Sequence, residues 1–408
     1  MAFQYDSRKL TAGDIFLCLP GGESYVEDAR RRGAIEIRRV TRAEMACLAS
    51  EVYGHPSKTL TVLGVTGTNG KTTTVTLLGQ ILFKAGFKPV VSGTLTGNLT
   101  TPESLDLQQQ MAVALTQGAT HFVMEVSSHG IAQERVAAIQ FAGKGLTNMT
   151  QDHLDFHQTI EAYRATKLGF MREYPGWSVL PEDYRSITLP SGFPLLGDFN
   201  RQNAQLAKAM ALRTGLKASV IDAALKDAQA PKGRFEPVDT QGLGFTVVVD
   251  YAHAPDGIQQ VLQTARQVMV EQKMNGRLWI MFGCGGDRDR SKRPIMGGLA
   301  AQLADCVVVT SDNPRTEDPD TIIQEILVGI PENRRAKGDD RGSKVEVIVD
   351  RREAICFVVN RAQVGDFVVV AGKGHEDYQI VGAQKIHFDD CEEVKKALQE
   401  RVKRNLPL

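Results

Sequence analysis

Residues 59–85 constrain the fold most. TLTVLGV at residues 59–65 reads as a buried strand, and it runs directly into the turn Gly67-Thr68-Asn69-Gly70. From Lys71 onward, Val75, Leu77, Leu78, Ile81 and Leu82 fall at helical spacing. Strand, glycine loop and helix in that order make a phosphate-binding loop. Glycines let backbone N–H groups approach phosphate oxygens, and the helix N-terminus adds the positive end of its dipole. Lys71 would sit over the β- and γ-phosphates of ATP, and the Thr72 hydroxyl would hold Mg²⁺. The spacing departs from the usual one, because Val65 stands five residues before Gly70 where a glycine is common. An ordinary strand-to-helix turn is the plainer alternative, and Lys-Thr directly after the glycine argues against it.

Further apolar runs follow at residues 121–126 (HFVMEV), 246–249 (TVVV), 278–282 (LWIMF), 306–310 (CVVVT) and 367–371 (FVVVA). Helical stretches lie between several of them. This alternation predicts an α/β fold with sheets covered on both faces. A chain of 408 residues exceeds one ordinary core, so two or three domains are expected. Segment 1–57 is short and mixed, with one apolar run at 14–19 and a charged helix-like stretch at 26–32. PKGR at 231–234 precedes a new strand and marks a boundary. We expect a small N-terminal α/β domain over 1–57. A central P-loop ATPase-like domain follows over 58–233, its parallel or mixed sheet covered by helices on both faces. A Rossmann-like α/β domain takes up 234–408. No internal repeat or low-complexity tract interrupts this plan.

Chemistry in such sheets sits at the carboxyl ends of the strands. Glu125 ends one apolar run, in EVSSHG, where a metal-binding carboxylate is expected; a lone glutamate is more often a solvated surface charge. The stretch 147–157 (TNMTQDHLDFH) is dense in titratable groups and is a site candidate. His153 and His157, four apart, could form a zinc pair, but the companion glutamate of HExxH is absent. Lys167 lies in the helical stretch 162–170, and composition alone makes it a solvated charge. In the C-terminal part, DYAH (250–253), GCGGDRDR (283–290), DNPRTEDP (312–319) and GKGHEDY (372–378) each follow an apolar run. Any one of them could be a mere turn. Four together predict a binding site on one sheet edge. Arg288 and Arg315 beside Asp312 and Glu376 suit a zwitterion with more than one carboxylate: arginines take carboxylates, acids take an ammonium.

Lys+Arg and Asp+Glu both total 48, which argues against a general nucleic-acid or membrane-surface binder. Six cysteines without a CxxC pair read as reduced core residues of a cytosolic protein. The N-terminus MAFQYDSRKL has no apolar signal core, and no run approaches the ~20 apolar residues that span a bilayer.

With these motifs assembled, the chain resembles the Mur ligase family, and within it the members that add the third residue of the peptidoglycan stem peptide. GTNGKTT, EVSSHG, TNMTQDHLDFH, GDFNRQN, GRFE, DYAHAPD, GCGGDRD and DNPRTEDP occur here in the family's order and cover nearly the whole chain. The resemblance implies a cytoplasmic, ATP-dependent amide ligase, expected to be a monomer, that activates a carboxylate as an acyl phosphate. It implies that Lys71, Glu125, His153 and Lys167 are catalytic, with Thr72, Glu125, His153 and a carbamylated Lys167 as Mg²⁺ ligands. Gly67, Thr68, Asn69, Gly70, Lys71, Thr72, Thr73, Asn148, Asn200, Arg234 and Asp250 match nucleotide positions. Ser7, Thr100, Thr101, Ser127, Gln133 and Arg135 match positions that hold a UDP-muramoyl dipeptide. Arg288, Asp312, Asn313, Pro314, Arg315, Gly372 and Glu376 match the incoming amino acid's pocket. DNPR is the form that resembles diaminopimelate-adding enzymes, since Arg315 can pair with a distal carboxylate that lysine lacks.

The chain is short for the family. The loop after GDIFLCLPG, the stretch between Gly93 and Thr100, and the segment between Lys167 and GDFN are all abbreviated. Two other readings therefore stay open: a related ligase acting on a different acyl donor, and a nucleotide-binding regulator without catalysis. Retention of Lys71, Glu125, His153 and Lys167 argues against the regulator.

Overall fold

The computed structural model describes residues 2–97, 99–150, 154–335 and 345–405. The chain divides into two compact units, one of residues 1–194 and 199–228, the other of residues 195–198 and 229–408.

The first unit contains two sheets. The smaller is β1 (Phe3–Gln4), β2 (Ile15–Cys18) and β3 (Glu36–Arg39), all parallel. Phe16 and Cys18 pack with Leu10 and Ala29 on one face, while Ile15 and Leu17 pack with Met45 on the other. The two-residue period of a strand produces this division, and burial on both faces explains why the run is apolar throughout. The larger sheet comprises β4 (Thr61–Thr66), β5 (Pro89–Ser92), β6 (His121–Glu125), β7 (Phe141–Leu146) and β8 (Trp177–Val179). Its order is β5-β6-β4-β7-β8, and every neighbouring pair is parallel. Strand β4 is central, and its expected helix follows over Lys71–Lys84.

The second unit is built on a six-stranded sheet in the order β13-β12-β11-β14-β10-β9. Its strands are β9 (Glu236–Val238), β10 (Thr246–Asp250), β11 (Leu278–Phe282), β12 (Cys306–Val309), β13 (Val345–Val347) and β14 (Phe367–Ala371). Only β9, at one edge, runs antiparallel. Two apolar clusters cover its faces: Val248, Ile280, Val307 and Val369 point into one, and Val247, Val249, Val308 and Val368 into the other. The four apolar runs read as strands in this part of the sequence are thus four adjacent parallel strands, β12-β11-β14-β10.

Two expectations change. Cys47 is exposed and Cys356 only partly covered, so the six free cysteines are not uniformly core residues. Lys167, read as a solvated helix charge, is almost fully buried. No helix among the described residues is long and apolar enough to cross a membrane.

Candidate active site

The loop after β4 is held by its neighbours. Gly67 has φ +142° and Gly70 φ +86°, backbone that disfavours side chains. A Cβ on Gly67 would stand 1.9 Å from Thr147 Oγ1, and one on Gly70 2.1 Å from Asn203 Oδ1. The segment after β7 ties the loop down. Thr68 N–H donates to Asn148 O (2.9 Å), Asn69 N–H to Asn148 Oδ1 (3.1 Å), and Thr147 Oγ1 to Asn69 O (2.6 Å). Asn148 therefore holds the loop's backbone. Asn200 is buried on the helix Asp198–Arg213, one turn before Asn203. Lys71 curls over its own loop, with Nζ donating to Gly67 O (2.9 Å) and Thr68 O (2.7 Å).

Thr72, in the first turn of the helix that follows the loop, meets Glu125, the last residue of β6, the strand beside β4. The Thr72 hydroxyl donates to Glu125 Oε1 (3.0 Å), and Thr94 supplies its N–H to the same oxygen (2.9 Å). Glu125 is 1% exposed. A buried carboxylate beside a threonine hydroxyl, next to a phosphate loop, is a hard-oxygen pair fitted to Mg²⁺. His153 lies outside the described residues. Among those described, no group of three or more His, Cys, Asp or Glu side chains is placed to hold a metal.

Lys167 reaches the same loop from the helix Ile160–Glu173. Its Nζ donates to Gly67 O (2.9 Å) and lies 4.8 Å from the centre of the Tyr163 ring, whose hydroxyl is 2.8 Å from Thr68 Oγ1. The sequence did hold a signal for this burial. Tyr163, Lys167, Phe170 and Met171 share one helical face, so the lysine interrupts an apolar stripe.

The residues matched to the donor substrate gather next to Glu125. Thr101 Oγ1 donates to Glu125 O (3.0 Å) and accepts from Ser127 N–H (2.9 Å). Ser127 caps the short helix Ser128–Ala132 through Gly130 N–H. Arg135 donates to Thr101 O (2.9 Å) and Gln133 Oε1 (2.5 Å) and pairs with Glu103 (3.0 Å), which Arg42 grips from its other oxygen (2.8 Å). Thr100 Oγ1 is 3.1 Å from Thr94 Oγ1. Ser7 stands apart: it is buried in the small sheet's layer, where its hydroxyl helps hold Asp28 below the usual carboxylate range.

In the second unit, Asp250 ends β10. It accepts from Phe235 N–H (2.8 Å) and Ala252 N–H (2.8 Å), while desolvation pushes its pKa up. The Arg234 guanidinium stacks 4.9 Å from the Tyr251 ring centre. The other three loops interlock. Asn313 Nδ2 donates to Glu376 Oε2 (2.8 Å), and Asn313 Oδ1 accepts from Ile380 N–H (2.9 Å). Arg315 has φ +52°; its Nη1 donates to Gly286 O (2.8 Å). A Cβ placed on Gly285 would be 2.8 Å from Arg315 Nη1 and 3.7 Å from Arg288 Cγ, so both guanidinium chains lie over this glycine. A Cβ on Gly372 would be 2.6 Å from Asp312 Oδ2, and one on Gly286 1.9 Å from Pro314 O. Arg288, Asp312, Asn313, Pro314, Arg315, Gly372 and Glu376 are thus brought to one place.

Sequence reasoning missed Lys373 and Arg351. Lys373 is fully buried with Nζ 3.1 Å from Glu376 Oε2; within GKGHED it looks like a turn residue. Arg351 is fully buried beneath Asp312 and Gly372, donating to Ala371 O (2.9 Å) and Ser311 O (3.3 Å) and pairing with Asp390 (2.7 Å).

Comparison with known proteins agrees with both halves. The Mur ligase middle domain matches residues 65–189, and the Mur ligase glutamate ligase domain matches residues 233–374. A UDP-N-acetylmuramoyl-L-alanyl-D-glutamate–2,6-diaminopimelate ligase of Syntrophomonas wolfei subsp. wolfei is 39% identical over 475 aligned positions, covering 98% of this chain and 94% of the relative. The solved structure of a ligase of the same name superposes with a TM-score of 0.63 at 30% identity, covering 98% of this chain and 95% of that one. The MurF ligase of Thermotoga maritima, solved in complex with ADP, shares the fold at a TM-score of 0.60 and 17% identity, with 99% and 98% covered. Matched nearly end to end, with the phosphate loop and the strand-end pocket both in place, the chain belongs to the Mur ligase family of ATP-dependent ligases.

Proposed function

We propose that the protein joins meso-diaminopimelate to UDP-N-acetylmuramoyl-L-alanyl-D-glutamate in the cytoplasm, as a monomer, with ATP cleaved to ADP and phosphate, a step of peptidoglycan synthesis. The substrate carboxylate attacks the γ-phosphorus, giving an acyl phosphate and ADP. The amine then attacks the acyl carbon, the tetrahedral intermediate expels phosphate, and the ammonium proton is lost. A carboxylate alone is a poor acyl donor; phosphorylation supplies the leaving group. The protein's part is positioning and charge neutralisation.

In this reading the loop 67–73 and Lys71 cradle the phosphates, with Asn148, Asn200, Arg234 and Asp250 serving the nucleotide. Thr72 and Glu125, joined by His153, hold Mg²⁺, which neutralises phosphate charge when bound. Carbamylation of Lys167 would replace a cation against Gly67 O with an anion able to hold a second Mg²⁺. Thr100, Thr101, Ser127, Gln133 and Arg135 take the muramoyl peptide, and Ser7 lies on the side assigned to the uridine. Domain limits at 57/58 and 233/234 accompany the same reading.

The observation that carries the choice of amino acid is the pocket of Arg288, Arg315, Asp312 and Glu376 at the ends of adjacent strands. Diaminopimelate has two carboxylates and two ammonium groups, and two arginines with two acids match it. Arg315→Ala should lower kcat/KM for diaminopimelate by about 30-fold, the worth of one charge-assisted contact of ~2 kcal/mol. Turnover with lysine should stay the same or rise, and the KM for ATP should not move. Steady-state kinetics decide this; a fall in ATP affinity with selectivity intact would place Arg315 elsewhere.

A second reading, a different acyl donor, draws on one observation. The alignment with the Syntrophomonas wolfei relative runs over 475 positions while this chain has 408 residues, so dozens of the relative's positions have no counterpart here.

A further inference from the structure

Glu317 is a residue of DNPRTEDP to which none of the roles above falls. It takes three donors on one carboxylate. Asp287 N–H reaches Oε1 at 2.6 Å, Arg293 Nη2 reaches Oε1 at 2.8 Å, and Arg293 Nη1 reaches Oε2 at 2.9 Å. Arg293 lies on the helix Lys292–Leu303 and is fully buried. Its fork also touches Gly285 O (3.2 Å) and Glu325 Oε2 (2.7 Å). These donors hold the Glu317 carboxyl well below its usual range, at about 2.

Asp287 and Gly285 belong to one loop of the amino-acid pocket, Glu317 to the other. Two more stitches run the same way. Thr316 Oγ1 donates to Asp287 Oδ1 (2.6 Å), and Gly286 N–H donates to Asn313 O (2.9 Å). Arg288 rides on the first loop and Arg315 on the second, and both side chains lie over Gly285. The distance between the two guanidinium groups is therefore set by how tightly the loops are stitched.

We propose that Glu317, gripped by the Arg293 fork, is a positioning residue that fixes the spacing of Arg288 and Arg315 and so sets the preference for a substrate with two separated carboxylates. This rests on the amino-acid pocket assigned above. A bidentate pair suits the task, because two parallel hydrogen bonds fix orientation as well as distance. A lysine at 293 has no planar fork and cannot reproduce it.

The test is steady-state kinetics of Glu317→Gln with diaminopimelate, lysine and ATP each varied. The amide offers a single acceptor oxygen where three donors converge. The KM for diaminopimelate should rise by about tenfold, with the diaminopimelate-to-lysine ratio falling by a similar factor and the KM for ATP unchanged. Glu325→Gln is the control. It loosens Arg293 from the other side but leaves the Arg293–Glu317–Asp287 stitch, so it should lower thermal stability without moving the KM. Thr316→Val, which cuts an exposed stitch, should raise the KM by about threefold and covers the case of a misfolded Glu317→Gln. Equal effects of Glu317→Gln and Glu325→Gln on the KM, or unchanged selectivity in folded Glu317→Gln or Thr316→Val, overturn the positioning role. Failure of the unmutated protein to use diaminopimelate would sink the pocket assignment itself.

Discussion

Lys167→Ala is expected to lower ligase turnover by about 10³-fold, with partial recovery on adding formate or acetate and none on adding bicarbonate. The side chain is buried against Gly67 O, the first residue of the phosphate loop. A carbamate there would carry a negative charge toward the nucleotide's metal, and its loss would leave the metal's positive charge without that counter-charge. A small carboxylate diffusing into the space restores the anion. Bicarbonate alone cannot, because alanine has no amine to carbamylate. Phosphate release measured with each additive separates the cases. Full activity of Lys167→Ala contradicts the role outright. Recovery with methylammonium instead of a carboxylate would mean that the amine works as a cation bonded to the loop.

Arg351→Met should destabilise the second unit by about 3–5 kcal/mol, because it leaves a buried carboxylate without its counter-charge. Arg351 and Asp390 are both fully buried and share two hydrogen bonds, 2.8 and 2.7 Å. Denaturant unfolding followed by Trp279 fluorescence in a Trp177→Phe background reports this unit, since Trp279 lies on β11. The double variant Arg351→Met/Asp390→Leu should regain most of the stability, as apolar replacements of buried pairs often do. It should not regain a normal KM for the amino acid. Arg351 also holds the carbonyls of Ser311 and Ala371, the residues just before Asp312 and Gly372. Recovery of both quantities together would show that Arg351 matters for stability alone.

Much of the fold was legible because the inner strands of the two large sheets, β4 and β6 in one and β10, β11, β12 and β14 in the other, are buried on both faces. Such strands read as unbroken apolar runs, and the polar motifs directly after 278–282, 306–310 and 367–371 mark their carboxyl ends. The glycines of the loop were legible for the same local reason, being required by φ at Gly67 and Gly70. What composition could not reach were buried charges. Lys373 and Arg351 are stabilised by partners 3 and 39 residues away, Glu376 and Asp390, and a single-sequence pattern does not register such pairs. Lys167 was the intermediate case. The resemblance promoted it, periodicity could have done so through the Tyr163–Phe170 stripe, and composition argued the other way. Ser7 shows the opposite limit, a motif residue whose hydroxyl the fold engages with Asp28.

The most direct measurement is phosphate release by the unmutated protein given ATP, Mg²⁺ and UDP-N-acetylmuramoyl-L-alanyl-D-glutamate, with meso-diaminopimelate or L-lysine as the amine. Release should need every component and be markedly faster with diaminopimelate. No release with either amino acid would contradict the proposed function and favour a different acyl donor; equal release with both would contradict the selectivity assigned to Arg315.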